Sequence, residues 1–167
     1  VTIWRVLADA DRERWDYLPS VGIGPLRFGM SPTEAAAVLP DFTAVSTPER
    51  AEFRRAAPPP WSRGAVTAYF GEGLYCVAID AQSGPQVVLD GISLVGRAPS
   101  QVEAQLVERH TSLRYQPEGD PVVEELGLMM RAQRVGDVVL TRPVLAVLGE
   151  RARTLWDTVP GDELDVH

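Results

Sequence analysis

The stretch Gly24-Pro25-Leu26-Arg27-Phe28-Gly29-Met30-Ser31-Pro32-Thr33-Glu34-Ala35-Ala36-Ala37-Val38-Leu39 admits three readings, and each implies a different fold. The first is a phosphate-binding loop of the form G-x-x-x-x-G-K-[ST]. Its lysine reaches the terminal phosphates and its hydroxyl holds magnesium. Met30 stands where that lysine belongs, and the chain contains no lysine at all. Pro25 also removes one of the backbone donors that such a loop uses. The second reading is a nucleophile elbow, G-x-S-x-G, over 29–33. There the N–H after the serine helps bind the oxyanion. Pro32 has no N–H, Thr33 replaces the closing glycine, and His110 and His167 are the only histidines available as a base. Neither site is expected.

The third reading accounts for every residue. Ser31 is a good N-cap. Pro32 at the first helical position has a preset φ and lacks an N–H that would be unpaired anyway. Glu34, three residues after Ser31, completes a capping box. The spacing predicts a helix from Pro32 to Leu39, stopped by Pro40. Leu26 and Phe28 alternate with polar or small neighbours ahead of it like a short strand, and Gly29 bends the chain between the two.

The same pattern returns 67 residues later. Residues 91–106, GISLVGRAPSQVEAQL, align without gaps under 24–39. Identities fall at Gly24/Gly91, Gly29/Gly96, Pro32/Pro99, Ala37/Ala104 and Leu39/Leu106. After the first copy come a strand-like FTAVST, a Pro-rich loop and AVTAYF-GEG-LYCVAID. After the second come TSLRY, a polar loop and LGLMMRAQR-VGD-VVLT. Repeats of this kind decide a fold class. The expectation is an α+β domain spanning 1–167, with a mainly antiparallel sheet from two tandem helix–strand–hairpin repeats and short helices packed on one face. Repeat 1 covers about 22–88 and repeat 2 about 89–147. A C-terminal helix and an acidic, solvated tail cover 148–167.

The hairpins can be read further. A three-residue turn Gly71-Glu72-Gly73 would pair Phe70 with Leu74 and Tyr69 with Tyr75. Phe70, Leu74, Ala68, Cys76, Val66 and Ala78 would then share an apolar face, leaving Tyr69, Tyr75, Thr67, Val77 and Ile79 on the other. Cys76, the single cysteine, reads as a buried hydrophobe. The second hairpin reads as turning at Gly136-Asp137 or through a longer loop, which leaves its faces unassigned, with Arg131, Gln133 and Arg134 nearby. The run VVLTRPVLAV reads as one long edge strand bent at Pro143. APPPW at 57–61 reads as a stiff polyproline loop. Trp4, Trp15, Trp61 and Trp156 read as core or semi-buried residues rather than binding anchors. His110 ends the helix Pro99–Arg109, where a cation complements the dipole.

Charge narrows the function classes. All 16 basic residues are arginine and the net charge is −7. That composition suggests a GC-rich genome, such as an actinobacterial one. The charge argues against nucleic acid, whose phosphates need a basic face, and suits a basic protein partner. No apolar run approaches the ~18 residues of a membrane span. The opening residues reach Asp9, Asp11 and Glu13 too soon for a signal peptide's apolar segment. A single cysteine fits a reducing compartment. A cytoplasmic protein with no membrane partner is expected. No His/Cys/Asp cluster has metal-ligand spacing, and no cofactor, metal or catalytic residue is expected.

The segment PLRFGMSPTEAAAVL resembles the xGMTxxxVxxxxG helix start of the β-lactamase-inhibitor protein repeat and of the small outer-membrane assembly lipoproteins related to it. The matching positions are Phe28, Gly29, Met30, Ser31 and Val38. The resemblance implies helices packed on antiparallel strands and a habit of binding proteins through a sheet face. The inhibitor's paired cysteines are missing here. The function expected is a non-enzymatic protein-binding module, an inhibitor or toxin-immunity protein. Its partner would meet an open sheet face carrying Tyr69 and Tyr75, with Arg131 and Arg134 nearby. A housekeeping or structural protein, and a small enzyme using Arg, Tyr and carboxylates, stay open as alternatives.

Overall fold

The computed structural model describes residues 3–55, 64–110, 113–117, 119–148 and 152–165. After a 3-10 turn at Asp9–Asp11 come β1 (Arg14–Leu18), β2 (Gly22–Ile23), β3 (Leu26–Arg27), α1 (Pro32–Ala37), β4 (Phe42–Ser46), β5 (Arg50–Arg55), β6 (Val66–Phe70) and β7 (Leu74–Ile79). Then follow β8 (Gln86–Leu89), β9 (Ile92–Ser93), α2 (Pro99–Arg109), β10 (Arg114–Tyr115), β11 (Pro121–Val123), a 3-10 turn, β12 (Leu128–Val135), β13 (Val138–Ala146), α3 (Leu155–Thr158) and α4 (Gly161–Leu164). The class is α+β and the sheet is mainly antiparallel. Among the described residues no helix is long and apolar enough to cross a membrane.

The capping reading of the opening stretch holds. Ser31 Oγ accepts the N–H of Glu34, and the Glu34 carboxylate accepts the N–H of Ser31, both at 3.1 Å. Gly29 has φ +96°, a conformation that side chains rarely adopt. It turns the chain against the β6–β7 turn: the Gly29 N–H donates to Leu74 O and the Leu74 N–H to Met30 O.

Each of α1 and α2 is followed by four strands in an antiparallel meander. The two meanders lie side by side in one eight-stranded sheet, ordered β10-β11-β12-β13-β7-β6-β5-β4. They join through the antiparallel pairs Ala78–Val144, Val77–Leu145 and Cys76–Ala146. A second sheet, β3-β2-β1-β8-β9, contains the one parallel pair among the described residues, β1 with β8. It packs with α1 and α2 on the inner face of the large sheet. Trp15, Ile23 and Leu26 meet Phe53, Val77, Leu128 and Leu145 there, with Val102 and Leu106 of α2. Fully burying each large side chain of this kind is worth ~1.5–3 kcal/mol. Arg12 ties the N-terminal segment down, donating to the carbonyls of Leu7, Ala81 and Gly84.

Several expectations need correction. The Pro-rich and polar loops each hide a strand, β5 and β11, so each expected lone strand is half of a hairpin. Tyr69 pairs with Cys76 rather than Tyr75, because the ladder shifts register between Tyr69 and Phe70. The cause is a tertiary contact: the backbone of Leu74 is bound to the Gly29–Met30 segment. The shift puts Val77 and Ile79 on the inner face and Cys76 and Ala78 on the outer one. Cys76 is buried as expected.

β13 is a central strand, not an edge. Its turn at Gly136-Asp137 makes Val135–Val138 a hydrogen-bonded pair. By alternation, Pro143 opposite Met130 then asks no bond of β12. Its missing donor faces β7 just past the end of their pairing, which begins at Val144. Of the tryptophans, Trp15 is in the core, whereas Trp4 and Trp156 are exposed. Trp61 and the APPPW loop lie outside the described residues.

The outer face of the large sheet is not open either. α3 and α4 lie across it, setting Leu155, Val159 and Leu164 on Tyr69, Cys76, Ala78, Val122, Met129 and Val144. Residues 155–164 are therefore a strap over a second apolar cluster, where a solvated tail was expected.

Candidate functional site

The strap stays down because the sheet beneath it is polar in the right places. Glu163 of α4 is 1% exposed and faces Arg142 of β13, itself 4% exposed. The guanidinium donates through Nε and Nη2 to the carboxylate at 2.8–3.1 Å. Tyr69 Oη donates to Glu163 Oε2 at 3.1 Å. On its other side Arg142 lies 3.6 Å from Asp80. Asp80 is buried too, and accepts from Gln133 Nε2, Ser83 Oγ and the N–H groups of Gln82 and Ser83. Arg131 holds the far end of the strap, donating to the carbonyls of Leu164 and Asp165 and pairing with Asp120. At the near end the Leu155 N–H donates to Glu124. Burial, with Glu163 beside it, raises the Tyr69 phenol well above its ordinary value, and the same two causes raise the Cys76 thiol.

Beside this network is a cavity of about 80 Å³ lined by Arg50, Glu52, Thr67, Tyr69, Arg142 and Glu163, among others. Arg, Tyr and carboxylates do converge there. At ~30 Å³ per water the space suits a few waters and no organic substrate. Its phenol is held protonated, and Arg142 and Glu163 are already paired with each other. Such an arrangement fastens the strap.

Next to it opens a larger groove of about 680 Å³. The β4–β5 turn supplies Thr47, Pro48, Glu49 and Arg50; the β6–β7 turn supplies Phe70 and Gly71; and Tyr69, Tyr75 and the start of α4 complete it. The two turns are tied together by the Phe70 N–H donating to Glu49 O at 2.9 Å. Arg50 lies 5.9 Å from the centre of the Tyr69 ring and 3.6 and 3.9 Å from Glu52 and Asp162. Tyr75 is half-buried beside it. Burial raises its phenol first, and the neighbouring charges of Cys76 and Glu49 add to that. Glu49 is exposed and forms no ion pair among the described residues.

The four expected contact residues separate. Tyr69 and Tyr75 meet in this groove, although Tyr69 is largely covered. Arg131 is buried under the end of the strap. Arg134 is exposed, donates to Gly136 O, and lines a different hollow with Trp4 and Val138. Three residues apart on one strand, Arg131 and Arg134 must point to opposite faces. The groove residues missed from the sequence, Glu49 and Arg50, had a usable signal. In Arg50-Ala51-Glu52-Phe53-Arg54 charged and apolar residues alternate strictly, which marks a strand starting just after a Thr-Pro-Glu turn. Among the described residues no three His, Cys, Asp or Glu side chains are grouped to hold a metal ion. No protein-family model matches the chain, and no curated protein or solved structure is significantly similar to it.

Proposed function

We propose that this chain is a non-enzymatic protein-binding module of the inhibitor or toxin-immunity kind, acting in the cytoplasm. Its groove between the β4–β5 turn, the β6–β7 turn and α4 receives a basic side chain of the partner. The observation that carries this reading is Tyr75 half-buried beside Glu49, a carboxylate with no counter-ion among the described residues, on a chain of net charge −7. A lysine or arginine entering there would lie on an aromatic face with a carboxylate at hand. Tyrosine and arginine in a desolvated hollow are also the types that dominate interface energetics.

The two meanders are, on the same reading, tandem copies of one unit like that of the inhibitor repeat. Three facts support this. The helices start at Pro32 and Pro99, 67 residues apart. The order helix then four-stranded meander follows both. Exchanging each residue for its counterpart 67 positions away turns the pair Ala78–Val144 into Leu145–Val77, a pair that also exists.

The test is affinity capture with the intact chain from its source cells, followed by titration of the purified partner. Glu49→Arg and Tyr75→Ala should each weaken binding about tenfold or more, with the melting temperature monitored for both. Wild-type affinity should fall as salt is raised. A partner that binds both variants as it binds the wild type places the contact elsewhere. Failure to capture any protein counts against the module reading itself.

A further inference from the structure

We infer that the free edge of β4 accepts an extended, basic-ended segment of a partner chain as an added strand. This rests on reading the chain as a protein-binding module but uses the edge of β4 rather than the groove, with which it shares Glu49. β4 ends the eight-stranded sheet. Thr47 and Arg50 exchange both backbone bonds across the turn, N–H to O distances being 2.8 and 3.4 Å between heavy atoms. By antiparallel alternation Val45–Glu52 and Thr43–Arg54 are then the bonded pairs of the β4–β5 ladder. Ala44 and Ser46 therefore turn their N–H and C=O groups outward, and among the described residues no strand pairs with that edge.

Sheet edges are ordinarily blunted by shortness, charge, proline or a covering element. The opposite edge has such devices: β10 is two residues long, contains Arg114, and has Tyr115 bonded to Glu103. β4 has none. Its residues Phe42-Thr43-Ala44-Val45-Ser46 are uncharged, and Thr43 through Ser46 are exposed on both faces of the sheet. Strand addition is a recognised mode of peptide capture in which main-chain bonds give the affinity.

Charge selects the occupant. Asp41 and Glu49 bracket the strand, both exposed and without an ion-pair partner among the described residues. A second copy of this chain fits poorly. The two-fold register that uses both outward residues sets Ala44 against Ser46 of the other copy, and so sets Asp41 against Glu49 at each end. Like charges face each other twice, on two chains of −7 each. A partner segment with arginine or lysine near its ends meets the same carboxylates favourably.

The probe is a synthetic peptide of alternating threonine and valine with arginine at each end, titrated against the isotope-labelled full chain. Binding is expected to shift the amide resonances of Ala44 and Ser46 and slow their hydrogen exchange. A glutamate-ended peptide should bind about tenfold more weakly at low salt, and the gap should close as salt is raised. Ala44→Pro removes an outward donor that β5 does not use, so the fold should hold while binding falls about tenfold or more. Ser46→Pro does the same at the other donor and serves if the first variant is misfolded. Asp41→Asn should weaken only the arginine-ended peptide. Ala44→Pro separates the two surfaces, since it leaves a groove-only contact intact, whereas Glu49→Arg weakens both. No binding at about 1 mM, or binding indifferent to both prolines, overturns the inference. A concentration-dependent dimer abolished by Ala44→Pro overturns it in favour of self-pairing.

Discussion

Glu163 and Arg142 are two charges taken out of water together. Such pairs add little net stability over an apolar pair, but removing one member leaves the other buried and unmatched, which typically costs ~3–5 kcal/mol. Here Asp80 still stands 3.6 Å from Arg142, so the lower end of that range applies. The cost need not be met by unfolding the whole chain. α3 and α4 are four residues each, and lifting them rehydrates Arg142. Glu163→Gln is therefore expected to release the strap before it melts the sheet. Cys76, the single thiol, sits in the apolar cluster under Leu155 and Val159 and reports the event. Its reaction with a thiol reagent should speed up about a hundredfold in Glu163→Gln, matching an opening made ~3 kcal/mol easier. An unchanged rate would mean the strap is held by its apolar contacts alone.

At the scale of elements, the turn between β6 and β7 is fixed by the loop before α1. A Cβ added at Gly73 would lie 2.6 Å from the carbonyl oxygen of Gly29, a backbone atom that cannot swing away. At Gly71, two residues earlier, the nearest atom is the Tyr75 ring at 3.7 Å, an ordinary contact. Gly73→Ala should thus lower stability by ~1–3 kcal/mol in denaturant titration, and Gly71→Ala should be close to neutral. Equal effects would show that the contact with Gly29 is not what sets the turn. This contact also marks the limit of what could be read in advance. The capping box of Ser31 and Glu34 is local, so four residues of sequence reveal it. The turn at Gly136-Asp137 is local as well. The slip at Tyr69 is not, because it depends on Leu74 bonding to a segment more than forty residues earlier. One such slip exchanged Cys76 and Ala78 with Val77 and Ile79 between faces. The strap escaped notice for a related reason: Asp162-Glu163-Leu164-Asp165 has the composition of a solvated end, and only the distant Arg142 makes its glutamate a buried one. Glu49 and Arg50 were legible in the alternation of β5, whereas their convergence with Tyr75 and α4 is tertiary.

For the molecule as a whole, the question is whether the two meanders are separate folding units. Their sequence order would permit it, since each follows its own helix. The packing argues the opposite. The inner core is continuous, drawing Phe53 and Val77 from the first meander, Leu128 and Leu145 from the second, and Trp15 and Ile23 from the small sheet laid across both. β7 and β13 meet in the middle of the large sheet, so dividing the chain there creates a free edge carrying Val77 and Ala78, both fully buried in the intact protein. The small sheet is divided as well: β9 pairs with β8 and would leave with the second half. Intact protein should therefore unfold in one transition, with tryptophan fluorescence and far-ultraviolet circular dichroism coinciding along a denaturant titration. A fragment of residues 1–89 should lack a cooperative transition and bind a hydrophobic dye. Mixing it with a fragment of 90–167 should restore both the transition and the low dye signal, because the β7–β13 seam and the shared core can form only together. A 1–89 fragment that melts cooperatively by itself would show that the meanders are autonomous and that the seam is an interface between domains.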